Sequence, residues 1–228
     1  MRGVRPVVGD LVRFGVQALW GLPWTVRGSR GTFELMGTRY PLLYHRRKLT
    51  WLTERAVEVP VAQAIVDGAV GKRVLEVGNV LSQYRPQRHM VLDKYERGPG
   101  VLNRDVLDVD ELGRFDLIVA ISTIEHVGWD EEPRDSGKAV RAIEALRGSL
   151  APGGQLVATV PAGYHPFLDD ALRSGRVAGA SLTALRRDPG QARWREVSPD
   201  DAWAAPYDFL LYRARAVVFA SIRSELTT

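Results

Sequence analysis

The chain contains no cysteine among its 228 residues. Disulfide bonds and metal sites built on thiolates are therefore excluded. Such a composition is typical of a protein from a reducing compartment, and we predict a cytoplasmic location. Long apolar runs are missing as well, since no stretch of about 18 uncharged apolar residues occurs, and we expect no transmembrane segment. Asp10 and Arg13 interrupt the apolar N-terminal region, which argues against a signal peptide.

Basic and aromatic residues do not form an interleaved nucleic-acid-binding module anywhere in the chain. The net charge is +4 and the isoelectric point is near 9.6. This balance permits anionic partners without indicating one, because the arginines are scattered. We therefore expect no nucleic-acid partner.

Short apolar runs predict the strands of an α/β fold. They occupy residues 73–77, 90–92, 101–102, 115–121 and 156–160. Residues 50–70, 136–150 and 167–187 have helical spacing of apolar side chains, and Pro60 predicts a kink or a break in the first of these helices. Because the strands are apolar throughout rather than alternating, the pattern indicates a parallel sheet covered on both faces.

The C-terminal part differs from this alternation. Residues 193–197 and 216–222 are strand candidates that we expect to pair antiparallel at the sheet edge. The resulting prediction is a Rossmann-like, doubly wound, mostly parallel seven-stranded sheet with an antiparallel C-terminal edge strand. Residues 1–70 are predicted as an N-terminal helical or lid segment, in which Trp20 and Trp24 could cover a site, and residues 71–228 as the main domain.

Five segments in order carry a resemblance to a known family. They are Val-Leu-Glu-Val-Gly at 74–78, Val-Leu-Asp at 91–93, Asn-Arg-Asp at 103–105, Phe-Asp-Leu-Ile-Val at 115–119 leading to Ile-Glu-His-Val at 124–127, and Leu-Ala-Pro-Gly-Gly-Gln-Leu at 150–156. Together they resemble the class I S-adenosylmethionine-dependent methyltransferases. Residues 50–58 and the run Ser-Thr-Ile-Glu-His-Val-Gly-Trp-Asp are similar to a bacterial branch associated with glycan methylation.

The resemblance departs from the family pattern in one loop. Family members usually have Gly-x-Gly-x-Gly after the first strand, whereas this chain keeps Gly78 and continues with Asn79. A loop that cradles phosphate needs several glycines so that its backbone amides can reach the anion, which argues against a dinucleotide-binding dehydrogenase. S-adenosylmethionine has no phosphate, so one glycine followed by Asn79 can suffice.

The resemblance implies a donor site at the strand ends. Glu76 would lie near the methionyl end, Asp93 would grip the ribose hydroxyls and Asp105 would meet the adenine amino group. The alternatives are a carboxylate satisfied by backbone amides for Glu76, and helix- or loop-capping aspartates for the other two. The remaining donor-binding candidates are Gly78, Asn79, Lys94, Val106 and Ser122.

The resemblance also implies where the methyl group is transferred. His126 follows the fourth strand and is the candidate general base, because a positioned histidine can remove a hydroxyl proton near neutral pH. Glu125 could polarise His126, bind the acceptor or help to hold a divalent metal, although no carboxylate cluster indicates a metal site. The candidates for acceptor binding are Trp129, Asp130, Tyr164 and His165, with His165 as the second candidate base.

The predicted function is therefore an S-adenosylmethionine-dependent O-methyltransferase acting on a saccharide or a similar hydroxylated acceptor. A methyltransferase-like binding or assembly module without activity is one alternative, and a natural-product acceptor is another. Methylation of nucleobase amino groups is disfavoured, because Ser-Thr-Ile-Glu-His stands where such enzymes carry Asn/Asp-Pro-Pro-aromatic. The sequence leaves a homodimer through the edge strands open.

Overall fold

The computed structural model describes residues 29–188 and 193–225, together with residues 15, 16, 19, 22 and 23. Trp20 and Trp24, predicted as part of a lid, lie outside the described residues. The described N-terminal part forms an antiparallel hairpin of β1 (Ser29–Leu35) and β2 (Thr38–Leu43). The prediction of a helical segment is wrong for this stretch. Phe33 and Leu35 alternate with exposed residues, as in a strand with one buried face.

Eight strands form the central sheet, in the order β5-β4-β3-β6-β7-β10-β8-β9. Their bounds are β3 (Val74–Val77), β4 (Met90–Leu92), β5 (Val101–Leu102), β6 (Phe115–Ile121), β7 (Leu150–Pro161), β8 (Ser181–Arg187), β9 (Trp194–Val197) and β10 (Ala216–Arg223). The strands from β3 to β7 are parallel, and their order reverses between β3 and β6, as in a doubly wound fold. The predicted fold class is confirmed, with eight strands rather than seven.

The antiparallel part of the sheet is arranged differently from the prediction. β9 pairs with β8 at the edge, whereas β10 lies between β7 and β8. The predicted pairing of residues 193–197 with 216–222 is therefore wrong. Burial explains the arrangement, because β10 is apolar on both faces and suits an interior position, while β9 is half exposed and suits an edge.

In residues 29–188 and 193–225, the α-helices are α1 (Arg55–Asp67), α2 (Lys138–Gly148), α3 (Pro166–Arg173) and α4 (Pro199–Trp203). α1 continues through Pro60 and follows a 3₁₀ segment at Arg47–Leu52. The helix predicted over residues 167–187 is correct only for α3. Gly175, at φ 74°, follows the end of α3, and the chain then forms β8.

The helices cover both faces of the sheet. On one face, Val59 and Ala62 of α1 pack with Ile121 of β6. On the other face, Ile143 of α2 packs in the main core with Ile118 of β6. Strands covered in this way are buried on both faces, as β3 is. In the described ranges, none of the helices is both long enough and apolar enough to cross a membrane.

Candidate functional site

A cavity of about 270 Å³ lies beyond the carboxyl ends of β3, β4 and β6. This is the point where the strand order reverses, which is the usual ligand position in an open α/β sheet. Seven of the predicted donor-binding residues line it: Gly78, Asn79, Asp93, Lys94, Asp105, Val106 and Ser122. We call it the donor cavity.

A second cavity of about 320 Å³ adjoins the first, and we call it the acceptor cavity. It is lined by aromatic side chains and by buried carboxyl groups, namely Tyr164, Tyr207 and Tyr212 together with Glu54 and Glu125. Both cavities are lined by Lys48, Arg55, Ser122 and His126. The two cavities therefore meet at these four side chains.

Glu76 is fully buried behind the donor cavity and does not line it. Its Oε1 accepts hydrogen bonds from the backbone N–H groups of Val80 (2.8 Å) and Leu81 (2.7 Å). His89 Nε2 lies 2.7 Å from Glu76 Oε2 and donates to it, since a carboxylate can only accept. The geometry corresponds to the alternative in which backbone amides satisfy Glu76, and the side chain acts by fixing the loop after β3.

Gly78 occupies a position that no other residue fits. Its φ is 82°, and an added Cβ would lie 2.2 Å from Thr123 Oγ1. The glycine therefore allows the loop after β3 and the loop after β6 to touch. This contact closes the donor cavity from below.

Asp93 organises the loop after β4. Its Oδ1 accepts hydrogen bonds from the backbone N–H groups of Tyr95 (2.9 Å) and Glu96 (2.7 Å). Its Oδ2 accepts from the N–H of Asn79 at 3.0 Å. Three of its roughly four acceptor positions are thus occupied, and Oδ2 keeps one lone pair for a ligand hydroxyl.

Asp105 belongs to a cluster of four charges at the rim of the donor cavity. Lys94 and Lys138 each bridge Asp105 and Glu131, at distances of 2.6–3.1 Å. Partial burial acts to raise the pKa of Asp105, but hydrogen bonds from the two lysines outweigh it and lower the pKa to about 2. Asp105 Oδ1 also accepts from the backbone N–H of Leu107, as a capping residue does. Asp105 therefore has the capping role that the sequence offers as the alternative to binding the adenine amino group.

Ser122 stands where the two cavities meet, and its backbone has a left-handed φ of 38°. Its Oγ donates to Glu58 Oε1 at 2.5 Å, and Arg55 Nη1 lies 3.2 Å from Glu58 Oε2. Burial raises the pKa of Glu58, and the neighbouring Arg55 opposes that shift. A strained residue held by buried partners is typical of a functional site.

His126 begins a chain of hydrogen bonds that runs along the acceptor cavity. Its Nδ1 lies 2.5 Å from Asp130 Oδ2, so Nδ1 carries the proton and donates it to the carboxylate. Tyr164 donates to the same oxygen at 2.7 Å and contacts the Tyr212 hydroxyl at 2.8 Å. Asp130 thereby fixes the tautomer in which His126 Nε2 is free to accept a proton.

Glu125 is 1% exposed, and within the described part of the chain neither carboxyl oxygen has a hydrogen-bond partner. Its Oε1 lies 3.7 Å from His126 Nε2. Burial raises the pKa of Glu125 well above its usual range, the nearby Glu58 raises it further, and Arg55 acts in the opposite direction. Burial therefore disfavours the charged form of this side chain in the free protein.

Three predicted acceptor-binding residues, Trp129, Asp130 and His165, line neither cavity. Trp129 packs against the His165 ring with centroids 4.5 Å apart, and the Arg134 guanidinium lies over its other side. His165 is fully buried and caps α3 by accepting from the N–H of Leu168. Burial lowers the pKa of His165. Trp129 and His165 support the loop that carries Tyr164.

The sequence-based prediction missed several residues of the site. They are Lys48 in the 3₁₀ segment, Glu54, Arg55 and Glu58 at the start of α1, and Tyr207 and Tyr212 in the loop before β10. All of them except Glu58, which accepts a hydrogen bond from Ser122, line a cavity. The signal for the residues at the start of α1 was present, because Glu54, Arg55 and Glu58 interrupt an apolar helix face. The tyrosines carried no signal, because only the return of the chain along β10 brings them to β6.

No group of three or more His, Asp or Glu side chains in the described residues could hold a metal ion. No protein-family model matches the chain. No curated protein matches it either.

Solved structures of methyltransferases resemble the fold. The N-methyltransferase NodS from Bradyrhizobium japonicum WM9, in complex with S-adenosylhomocysteine, has 15% identity and a TM-score of 0.45, over 75% of this chain and 91% of that chain. A possible histamine N-methyltransferase from Thermotoga maritima has 15% identity and a TM-score of 0.46, over 77% and 89%. The magnesium protoporphyrin IX methyltransferase of Synechocystis PCC 6803, with bound S-adenosylmethionine, has 14% identity and a TM-score of 0.39, over 72% and 76%. The fold assignment rests on the strand order of the sheet, and these identities are too low to indicate a common substrate.

Proposed function

We propose that this protein is an S-adenosylmethionine-dependent O-methyltransferase that acts on a hydroxyl of a saccharide or a similar acceptor. The observation that carries the proposal is the junction of the two cavities at His126, whose Nε2 is free to accept a proton. A donor and an acceptor bound on either side of this junction would meet at one imidazole.

The donor cavity fits the chemical groups of S-adenosylmethionine. Gly78 leaves room for a ligand to pass close to the backbone, and Asp93 Oδ2 has a lone pair for a ribose hydroxyl. Val77, Leu92 and Val106 provide apolar surface for an adenine ring. The donor supplies a methyl group made electrophilic by the sulfonium charge.

His126 is the general base in this proposal. As the acceptor oxygen bonds to the methyl carbon, the methyl–sulfur bond would break and S-adenosylhomocysteine would leave. The acceptor proton would pass to His126 Nε2, and Asp130 would stabilise the imidazolium that results. Proton removal matters because an alcohol is a weak nucleophile. Asp130 is therefore a positioning residue here, rather than the acceptor-binding residue predicted from the sequence.

The acceptor cavity suits a ring that carries several hydroxyls. The faces and edges of Tyr164, Tyr207 and Tyr212 offer apolar contact, and their hydroxyls offer hydrogen bonds. Burial raises the pKa of Tyr164 and Tyr207, so both hydroxyls stay protonated. The Tyr164 hydroxyl donates to Asp130, and the Tyr207 hydroxyl can donate to an acceptor. We also propose that the 1–70 segment acts as a cover, since it supplies Lys48 and Arg55 to both cavities.

Calorimetric titration with S-adenosylhomocysteine tests the donor site, and we expect binding in the micromolar range. No heat of binding at high micromolar ligand would refute the proposal. Incubation with S-adenosylmethionine and a panel of glycans, with S-adenosylhomocysteine release as the readout, tests activity. In that assay His126→Ala should lower turnover at least a hundredfold and leave donor affinity within about twofold. An equal loss of both would assign His126 to scaffolding.

A further inference from the structure

The buried carboxyl group of Glu125 has no role in the donor site. It lines the acceptor cavity, is 1% exposed and has no hydrogen-bond partner among the described side chains and backbone groups. A buried polar group without a partner costs roughly 1–3 kcal/mol of stability. This cost points to a ligand that forms the missing hydrogen bonds with the Glu125 carboxyl group when it binds.

The charged groups around Glu125 indicate whether that ligand is a cation or an anion. Glu54 and Glu58 lie near it at the start of α1, and the one cation of that cluster, Arg55, is engaged by Glu58 and by the backbone oxygen of Ile121. Lys48 lines both cavities, as His126 does, and His126 Nε2 lies 3.7 Å from Glu125 Oε1. Two further carboxyl groups against one engaged guanidinium leave the immediate surroundings of Glu125 favourable to a cation.

The aromatic residues that line the acceptor cavity also favour a positively charged ligand. The ring centroids of Tyr164 and Tyr207 lie 5.0 Å apart, and those of Tyr207 and Tyr212 lie 5.8 Å apart. Both pairs are edge to face, so the three rings present faces and edges in different directions. A ring face attracts a cation, by roughly 0.5–2 kcal/mol.

We propose that Glu125 binds the ammonium group of an amino-alcohol acceptor, such as an amino sugar, on the carbon next to the hydroxyl that faces His126. The two accepting atoms, Glu125 Oε1 and His126 Nε2, lie 3.7 Å apart, so donors on adjacent carbons can reach both. This inference rests on the proposed function and narrows its acceptor class.

Binding of an ammonium group would also favour release of a proton from Glu125. Burial disfavours the charged form of Glu125 in the free protein, and a bound cation favours it, so the pKa of the carboxyl group falls as the amine enters. A neutral sugar has no such effect. The number of protons released therefore distinguishes the two kinds of acceptor.

Calorimetry on the protein saturated with S-adenosylhomocysteine tests the inference, with D-glucosamine and D-glucose as probes. We expect glucosamine to bind at least tenfold more tightly at pH 7, and its heat to vary between buffers of different ionisation enthalpy. Glu125→Gln should abolish the preference, so that the two sugars bind with equal affinity. Glu144→Gln is the matched control, because Glu144 is a half-exposed helix residue that pairs with Arg147 and lines neither cavity.

Three results would overturn the inference: equal binding of the two sugars, failure of glucosamine to bind, or a preference that survives in Glu125→Gln. In each case S-adenosylhomocysteine would still bind, and the proposed function would stand with a neutral acceptor. Failure of S-adenosylhomocysteine itself to bind would instead refute the proposed function. A thermal melt of Glu125→Gln confirms that the variant is folded, and we expect it to be at least as stable as the parent.

Discussion

The loop after β3 should depend on Glu76 for its structure rather than for contact with the donor. In Glu76→Ala, the N–H groups of Val80 and Leu81 and the ring N–H of His89 lose their common acceptor. Hydrogen bonds to a charged group contribute about 1.5–3 kcal/mol each, and breaking a buried charged pair costs about 3–5 kcal/mol. Because these contributions overlap, we expect Glu76→Ala to lower the free energy of unfolding by about 3–5 kcal/mol.

Glu76→Gln separates the two contacts of this side chain. The amide oxygen can still accept from the backbone, but the contact with His89 loses its charged partner. We expect a loss of about 1.5–3 kcal/mol, with S-adenosylhomocysteine affinity reduced by less than tenfold. Direct binding of the donor by Glu76 would instead give a large loss of affinity.

Urea denaturation followed by circular dichroism measures these differences, with Glu144→Ala as a half-exposed control expected to stay within about 0.5 kcal/mol of the parent. A cost below about 1 kcal/mol for Glu76→Ala would refute the reasoning. So would a Glu76→Gln protein of unchanged stability that no longer binds S-adenosylhomocysteine.

Three further predictions concern single substitutions. Gly78→Ala should reduce S-adenosylhomocysteine affinity at least tenfold in calorimetry, because the added Cβ would displace Thr123. Gly179→Ala is the control: Gly179 has a similar φ of 73° but open space around it, so its substitution should not change the affinity. Burial raises the pKa of Asp169 to about 7, so the folded protein loses stability as the pH rises from about 4 to about 7. Asp169→Asn should therefore raise the melting temperature at pH 8 but not at pH 4. Equal shifts of the melting temperature at both pH values would contradict this. Asp130→Asn should lower methyl transfer by at least tenfold without changing donor affinity, and a shifted pH–rate profile should accompany the loss.

The parallel half of the fold could be predicted because its signals are local. β3 and β6 consist mostly of apolar residues, and Gly78 marks a turn at the end of the first of them. The antiparallel half depends on pairing between strands that are far apart in the sequence. The sequence of an apolar strand such as β10 does not indicate which strands it pairs with, and only burial on both faces explains its position between β7 and β8.

The candidate site could be predicted in part for the same reason. Asp93 directly follows β4, and His126 lies in the 3₁₀ turn after β6, so the doubly wound order brings them to one edge of the sheet. The role of Asp130 in orienting His126 needed the actual turn geometry. Lys48 and Tyr212 come from segments far apart in the chain, and they meet only in the folded protein.

The place of β10 in the sheet has a consequence for biosynthesis. A nascent chain that has emerged only as far as β9 would have β7 and β8 without the strand that joins them, each with a row of unsatisfied backbone groups. Because chains emerge from the ribosome at about 5–20 residues per second, this exposed state would last for seconds during every round of translation. Chaperone dependence during synthesis, rather than weak final stability, would then limit the yield of soluble protein.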